Sequence, residues 1–354
     1  MPKKKHKFLS MIYGRSMLLC SLLLSTGSLY AQEIGLKVDF FGYADNREFS
    51  APHTRNKTIF GTLTSPSLYF ALDSSSRLYG GVHYNQDFGV HPKNKSKINP
   101  IAYYNYKTQH IDFAIGFIPR YPRLKDVPRV VLADTFMYDR PNIEGMYFEY
   151  KNKHLRQRIF IDWLSKKSEQ HREQFIAGLS GHASWGLLFV AHSGILFHNA
   201  LTSTPDSAAH IQDNAVLNAK IGLNLSRKTF LDSLSIDVGG VLGFDRLRSV
   251  YPMRKKAGFM STMYLGLKQF SVVNTLYLGQ AQALPNGDAF YARNRYNRLD
   301  LGWTPFRTRI LEARLVASFH FSKGFVDNQQ AFTLRYHFGS PVTRSARSYS
   351  RGER

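Results

Sequence analysis

The strongest constraint on the fold lies near the end of the chain. Over residues 330–338, Phe332, Leu334, Tyr336 and Phe338 share one parity, and Ala331, Thr333, Arg335 and His337 share the other. Successive side chains of a β-strand point to opposite faces, so this segment presents one aromatic face and one mostly polar face. The preceding stretch repeats the pattern: Leu311, Ala313, Leu315, Ala317, Phe319 and Phe321 alternate with Glu312, Arg314, Val316, Ser318 and His320. Such strands fit a soluble sandwich, with the apolar face on a core, or a transmembrane barrel, with lipid outside and a wet lumen inside. The closing stretch alone does not separate the two.

The N-terminus does. Lys3, Lys4, Lys5, Lys7 and Arg15 precede the apolar run 17–24, and Ala31 offers a small residue before Gln32. A basic region, a short apolar region and a small residue at the cut define a secretory leader, here 1–31, too short for a good spanning helix. Cys20 is not read as a lipidation site, because Leu19 precedes it where a small residue is wanted. With export in view, the two C-terminal stretches resemble the closing hairpin of Gram-negative outer-membrane β-barrels, a porin-like superfamily. The final strand of such barrels ends in an aromatic residue read by the barrel-assembly machinery. The resemblance implies an outer-membrane location and recognition through the strand ending at Phe338. One feature departs from it: residues 339–354 continue as a Ser/Arg-rich basic tail, expected in the periplasm.

Removing 1–31 removes the single cysteine, so neither a disulfide nor a thiolate metal site is available to the exported chain. After the leader, no apolar run is long enough for a transmembrane helix. A closed, fully hydrogen-bonded barrel supplies stability without staples. The chain carries 47 Lys and Arg against 25 Asp and Glu; the leader takes five basic and no acidic residues, leaving a net charge of about +17. Export and the absence of a recognition motif argue against nucleic acid. Anionic outer-leaflet lipid and lipopolysaccharide, small anionic solutes and acidic polysaccharide are the expected counterparts.

Alternating segments recur from Gln32 onward while helical periodicity is scarce. Long connections are read at 45–57, 89–98, 119–142, 165–172, 199–213, 246–257, 281–296 and 322–328. Short ones fall between them at 73–77, 108–110, 152–154, 181–184, 226–233, 268–269 and 304–309. Strict alternation of long and short is what extracellular loops and periplasmic turns require. The expected fold is all-β: one antiparallel transmembrane barrel over 32–338, with about sixteen strands and fourteen as the next count.

A barrel of this size is expected to leave an aqueous lumen. The residues expected to line it are Lys37, Asp39, Arg158, Asp162, Lys220, Asp237, Asp300, Glu312, Arg314 and Arg335. The bland reading is that these charges pair with one another and only satisfy a wet wall. The longest connection carries Arg120, Arg123, Arg129, Asp134 and Arg140, which would narrow the pore if the loop folds inward, or touch anionic lipid if it stays outside. His192 and Ser193 are neighbours on one strand and point apart, and 178–181 falls one residue short of a nucleophile elbow. No spacing suits a metal, and no cofactor is expected. The leading expectation is therefore a passive, porin-like channel for small solutes, with anions preferred, and not an enzyme. An outer-membrane lipid-modifying enzyme and a non-conducting structural or adhesion barrel are the alternatives. Oligomeric state is open, a homo-oligomer included.

Overall fold

The computed structural model describes residues 33–344 except 51–53, 55, 90–95, 227 and 283. The leader 1–31, with the cut near Ala31, and the tail from 345 onward lie outside the described residues. Sixteen antiparallel strands close into one barrel, each paired with its neighbours in sequence and the last with the first. The first eight are β1 (Glu33–Glu48), β2 (Lys57–Ala71), β3 (Ser76–Asp87), β4 (Ser96–Lys107), β5 (Ile111–Pro119), β6 (Asn142–Lys151), β7 (Leu155–Ser165) and β8 (Gln174–Trp185). The second eight are β9 (Leu188–Asn199), β10 (Gln212–Asn224), β11 (Ser233–Leu247), β12 (Tyr251–Leu267), β13 (Phe270–Gly279), β14 (Arg295–Arg307), β15 (Leu311–Ser322) and β16 (Phe325–Arg344).

The two-residue period decides which face each side chain takes. Leu315, Phe321, Phe332, Tyr336 and Phe338 are exposed on the outer wall, while Ser318 and His320, one step out of phase, are buried inside. Large apolar side chains are exposed around the whole circumference, as a lipid-facing belt demands. Leu334 shares the parity of Phe332 and Tyr336. Leu334→Arg is expected to cost about 2–4 kcal/mol if the side chain lies near the bilayer midplane. Urea unfolding in lipid vesicles measures this, and a loss near zero would contradict the facing.

Two connections read as long are tight turns. β11 and β12 are joined by 248–250, and β15 and β16 by 323–324. The strands run on past the membrane into water, where neither face needs apolar residues, so 251–257 shows no alternation. The short joint read at 181–184 is strand, and the turn falls at 186–187, where Gly186 adopts φ +62°. β16 continues beyond Phe338 to Arg344, pairing with Glu33.

The lumen is not the open aqueous bore that strand number suggests. The connection between β5 and β6 turns inward and carries one short helix, α1 (Phe136–Asp139). The connection between β13 and β14 also turns inward, with a 3-10 turn at Ala289–Ala292. The two are stitched together on the barrel axis: Ala133 N–H donates to the Asn286 carbonyl at 2.8 Å, and Asp288 N–H to the Arg129 carbonyl at 2.9 Å. Leu124, Val130, Val131 and Leu132 of one loop and Phe290 and Tyr291 of the other pack against inward wall residues such as Ile176, Phe197 and Tyr277. Burying each of the aliphatic side chains stabilises by roughly 1.5–3 kcal/mol, so a dry cluster replaces water across the bore.

Candidate functional site

Below this plug, towards the end that carries the short turns, a cavity of about 560 Å3 remains. Tyr121, Pro122, Arg123, Met137 and Pro141 of the inward loop roof it, and the turn residues Thr308–Ile310 lie near its mouth. Its wall holds both charges and rings, including Lys37, Asp39, Phe41, Tyr103 and Arg335. Ser65 and His83 also line it.

Ser65 and His83 belong to neighbouring strands of one hairpin. Thr64 lies opposite Tyr84 and Ser67 opposite Gly81, a register that sets Ser65 across from His83. Pro66 has no N–H to give to the ladder, and the recorded pairing lapses at 65–66. Ser65 Oγ sits 2.6 Å from His83 Nδ1, and His83 Nε2 sits 3.0 Å from Asn142 Oδ1. All three residues are buried. Asn142 Nδ2 donates to the Pro100 carbonyl at 2.7 Å, which commits Oδ1 to act as acceptor. His83 must then carry its proton on Nε2. Nδ1 is left as the acceptor for the Ser65 hydroxyl, a serine poised against its base and the base against an orienting amide.

Asn142 is itself held from the loop. Arg120, with no exposed surface, donates through Nη2 to the Asn142 carbonyl at 2.5 Å and to Asp162 Oδ2 at 2.6 Å, and through Nε to the Arg140 carbonyl at 2.8 Å. Asp162 Oδ1 accepts from the Glu144 N–H at 2.9 Å. Nearby, Arg158 donates to the Arg123 carbonyl at 2.5 Å and to Asp126 at 2.6 Å. Burial opposes the charge on Asp126, but Arg158 and Arg156 outweigh it and hold its carboxyl below the ordinary range.

The other residues singled out from sequence divide among several places. Lys37 and Asp39 pair at 2.8 Å on the cavity wall, and Asp39 also contacts His337. Lys220 pairs with Asp237 at 2.7 Å. Asp300 takes Arg298 at 2.6 Å and Arg129 at 3.4 Å, while Arg129 also binds Asp134 at 2.6 Å. Glu312 pairs with Arg307 at 3.0 Å, and Arg140 donates to the Leu164 carbonyl at 3.0 Å. Arg314 lies beside Gly302. Most of these charges meet an opposite charge, as the bland reading had it. Only Lys37, Asp39, Arg123, Glu312 and Arg335 of the set touch the cavity.

Ser65, His83 and Asn142 were not among the residues singled out. Ser65 and His83 meet only through the register of their hairpin, and Asn142 reaches them from β6, across β4 and β5.

A family model described as Lipid A 3'-O-deacylase-type matches residues 26–349. No curated protein matches the chain. Among solved structures, a loop-deletion mutant of OmpT, an outer membrane protein of Vibrio cholerae, superposes with a TM-score of 0.55 at 10% identity, covering 87% of this chain and 100% of that one. The outer membrane protein opdK from Pseudomonas aeruginosa does so with 0.50 at 10% identity, covering 87% and 99%. At such identities these likenesses establish the outer-membrane β-barrel fold and nothing finer. The family match overturns the expectation that the barrel is not an enzyme. That expectation rested on the lack of a local serine–histidine motif, and a pair assembled across a hairpin leaves no such motif.

Proposed function

Because the chain belongs to the Lipid A 3'-O-deacylase-type family, we propose that it is an outer-membrane hydrolase that cleaves an ester-linked acyl chain from lipid A, with Ser65 as nucleophile. The observation that carries this reading is the Ser65–His83–Asn142 relay on the wall of the cavity beneath the plug. Ser65 Oγ attacks the ester carbonyl carbon while His83 Nδ1 takes its proton. Collapse of the tetrahedral adduct breaks the bond to the sugar oxygen, which leaves with the proton returned by His83. Water then attacks the acyl-serine with His83 again as base, and the acid departs as Ser65 is regenerated. Asn142 keeps the ring in the tautomer this needs.

The cavity is of a size that encloses a small-molecule ligand, within the roughly 300–1,000 Å3 usual for such sites. The dry cluster spanning the bore weighs against passive diffusion. The lead as far as Ala31 and the basic tail beyond the barrel belong to this reading as a cleaved export signal and a periplasmic extension.

The test is acyl release by the purified mature chain refolded in detergent with lipid A. Mass spectrometry is expected to show one fatty acid lost per lipid and the free acid accumulating. Lipid A that returns unchanged, from protein shown to be folded by its heat-dependent gel shift, would sink the proposal.

A further inference from the structure

Arg335, one of the cations lining the cavity, is held at close range by two rings. The Arg335 guanidinium carbon lies 3.7 Å from the ring centroid of Phe41 on the wall and 3.7 Å from that of Tyr121 on the roofing loop. Both rings therefore pack directly against the guanidinium, one from the wall and one from the loop. Among the described residues no hydrogen bond or ion pair takes up its N–H edge. Glu312 lies opposite in register, yet its carboxylate is bonded to Arg307. Lys37, Lys107 and Arg123, by contrast, each sit within 4 Å of a carboxylate. Arg77, also on the wall, meets one ring, Tyr69, at 5.6 Å.

A guanidinium packed against two rings is restricted in orientation and keeps its planar donor fork for a ligand. That fork matches a phosphate or carboxylate through two parallel hydrogen bonds. Position agrees with this use. Arg335 is the partner of Phe41 on one side of β1, and Ser65 is the partner of Asp39 on the other. Two inter-strand spacings and a two-residue offset along β1 put the backbones of Arg335 and Ser65 about 12 Å apart. That separation is too large for a role at the reacting carbonyl and suits an anionic group several bonds from the ester.

We propose that Arg335 anchors an anionic group of the ligand, a phosphate or a carboxylate, in this cavity; the inference rests on the hydrolase reading above. A phosphate would come from the sugar headgroup of the substrate, and a carboxylate from the released acid once it has moved away from Ser65.

Equilibrium binding to the refolded mature chain tests this without turnover. The probes are a single-chain ether-linked phosphate amphiphile, its neutral alcohol counterpart, and palmitate. Wild type is expected to hold the phosphate probe at least tenfold more tightly than the neutral one. Arg335→Met keeps bulk between the rings and should erase the difference, whereas Arg335→Lys should keep part of it. Stronger discrimination for the phosphate probe than for palmitate assigns the headgroup, and the reverse assigns the released acid. A preference that survives in Arg335→Met, in protein with an unchanged gel shift, overturns the anchor. Absence of acyl release by wild type would instead remove the hydrolase reading, and the charge-dependent binding would stand or fall on its own numbers.

Discussion

Ser65→Ala is expected to lower acyl release by a factor on the order of 10^4–10^6, as loss of a nucleophile from a working relay does. His83→Ala should fall into the same range, and the double variant should be little worse than either, because the two act as one unit. Neither side chain bonds the inward loop directly, so the gel shift and urea midpoint should stay close to wild type. Asn142→Ala should cost less, about 10^2–10^4, since it leaves serine and imidazole in place and loses only the tautomer control. The measurement is initial rate of fatty-acid release from lipid A across the four variants. Full activity in Ser65→Ala would remove the nucleophile assignment. Additive losses in the double variant would mean that the two residues are not working together.

Asp162→Ala attacks the fold of the plug. It strands the buried Arg120 guanidinium, and removing one partner of a buried ion pair costs about 3–5 kcal/mol. Arg120 also holds the Asn142 carbonyl, so the relay should lose its orienting amide at the same time. The inward loop is expected to leave the lumen in part of the population. In planar bilayers, conductance steps should then appear where wild type is silent. Arg120→Met with Asp162→Leu together leaves no charge unpaired and should recover most of the stability while acyl release stays low. An Asp162→Ala protein as stable and as silent as wild type would show that the pair is not what seats the loop.

Much of the wall was legible because lipid on one side and a protein interior on the other impose a two-residue period that composition cannot hide. Phe332, Leu334 and Tyr336 could be faced from their parity alone. Legibility failed where that physics stops. Beyond the membrane both faces of a strand are wet, so Tyr251 to Ala257 reads as loop while it pairs as strand. Inside the bore the sequence gives no sign that Val130 and Phe290 meet, since apolar loop residues look the same whether they pack inward or lie in the interface. The chemistry was hidden for a third reason. Ser65 and His83 become neighbours only through the exact register of a hairpin, and Asn142 joins them only after β4 and β5 have been laid between.

The stitched loops have a mechanical consequence. One springs from between β5 and β6 and the other from between β13 and β14, eight positions apart in a ring of sixteen, so their junction forms a diameter of the barrel. A thin hydrogen-bonded cylinder resists stretching of its circumference far better than it resists being squeezed into an oval. A tie-rod across the diameter suppresses that soft mode. The width of the chamber beneath it is then set by the length of the rod, and changes in lateral pressure from the surrounding bilayer reach Ser65 and His83 only after being taken up by the brace.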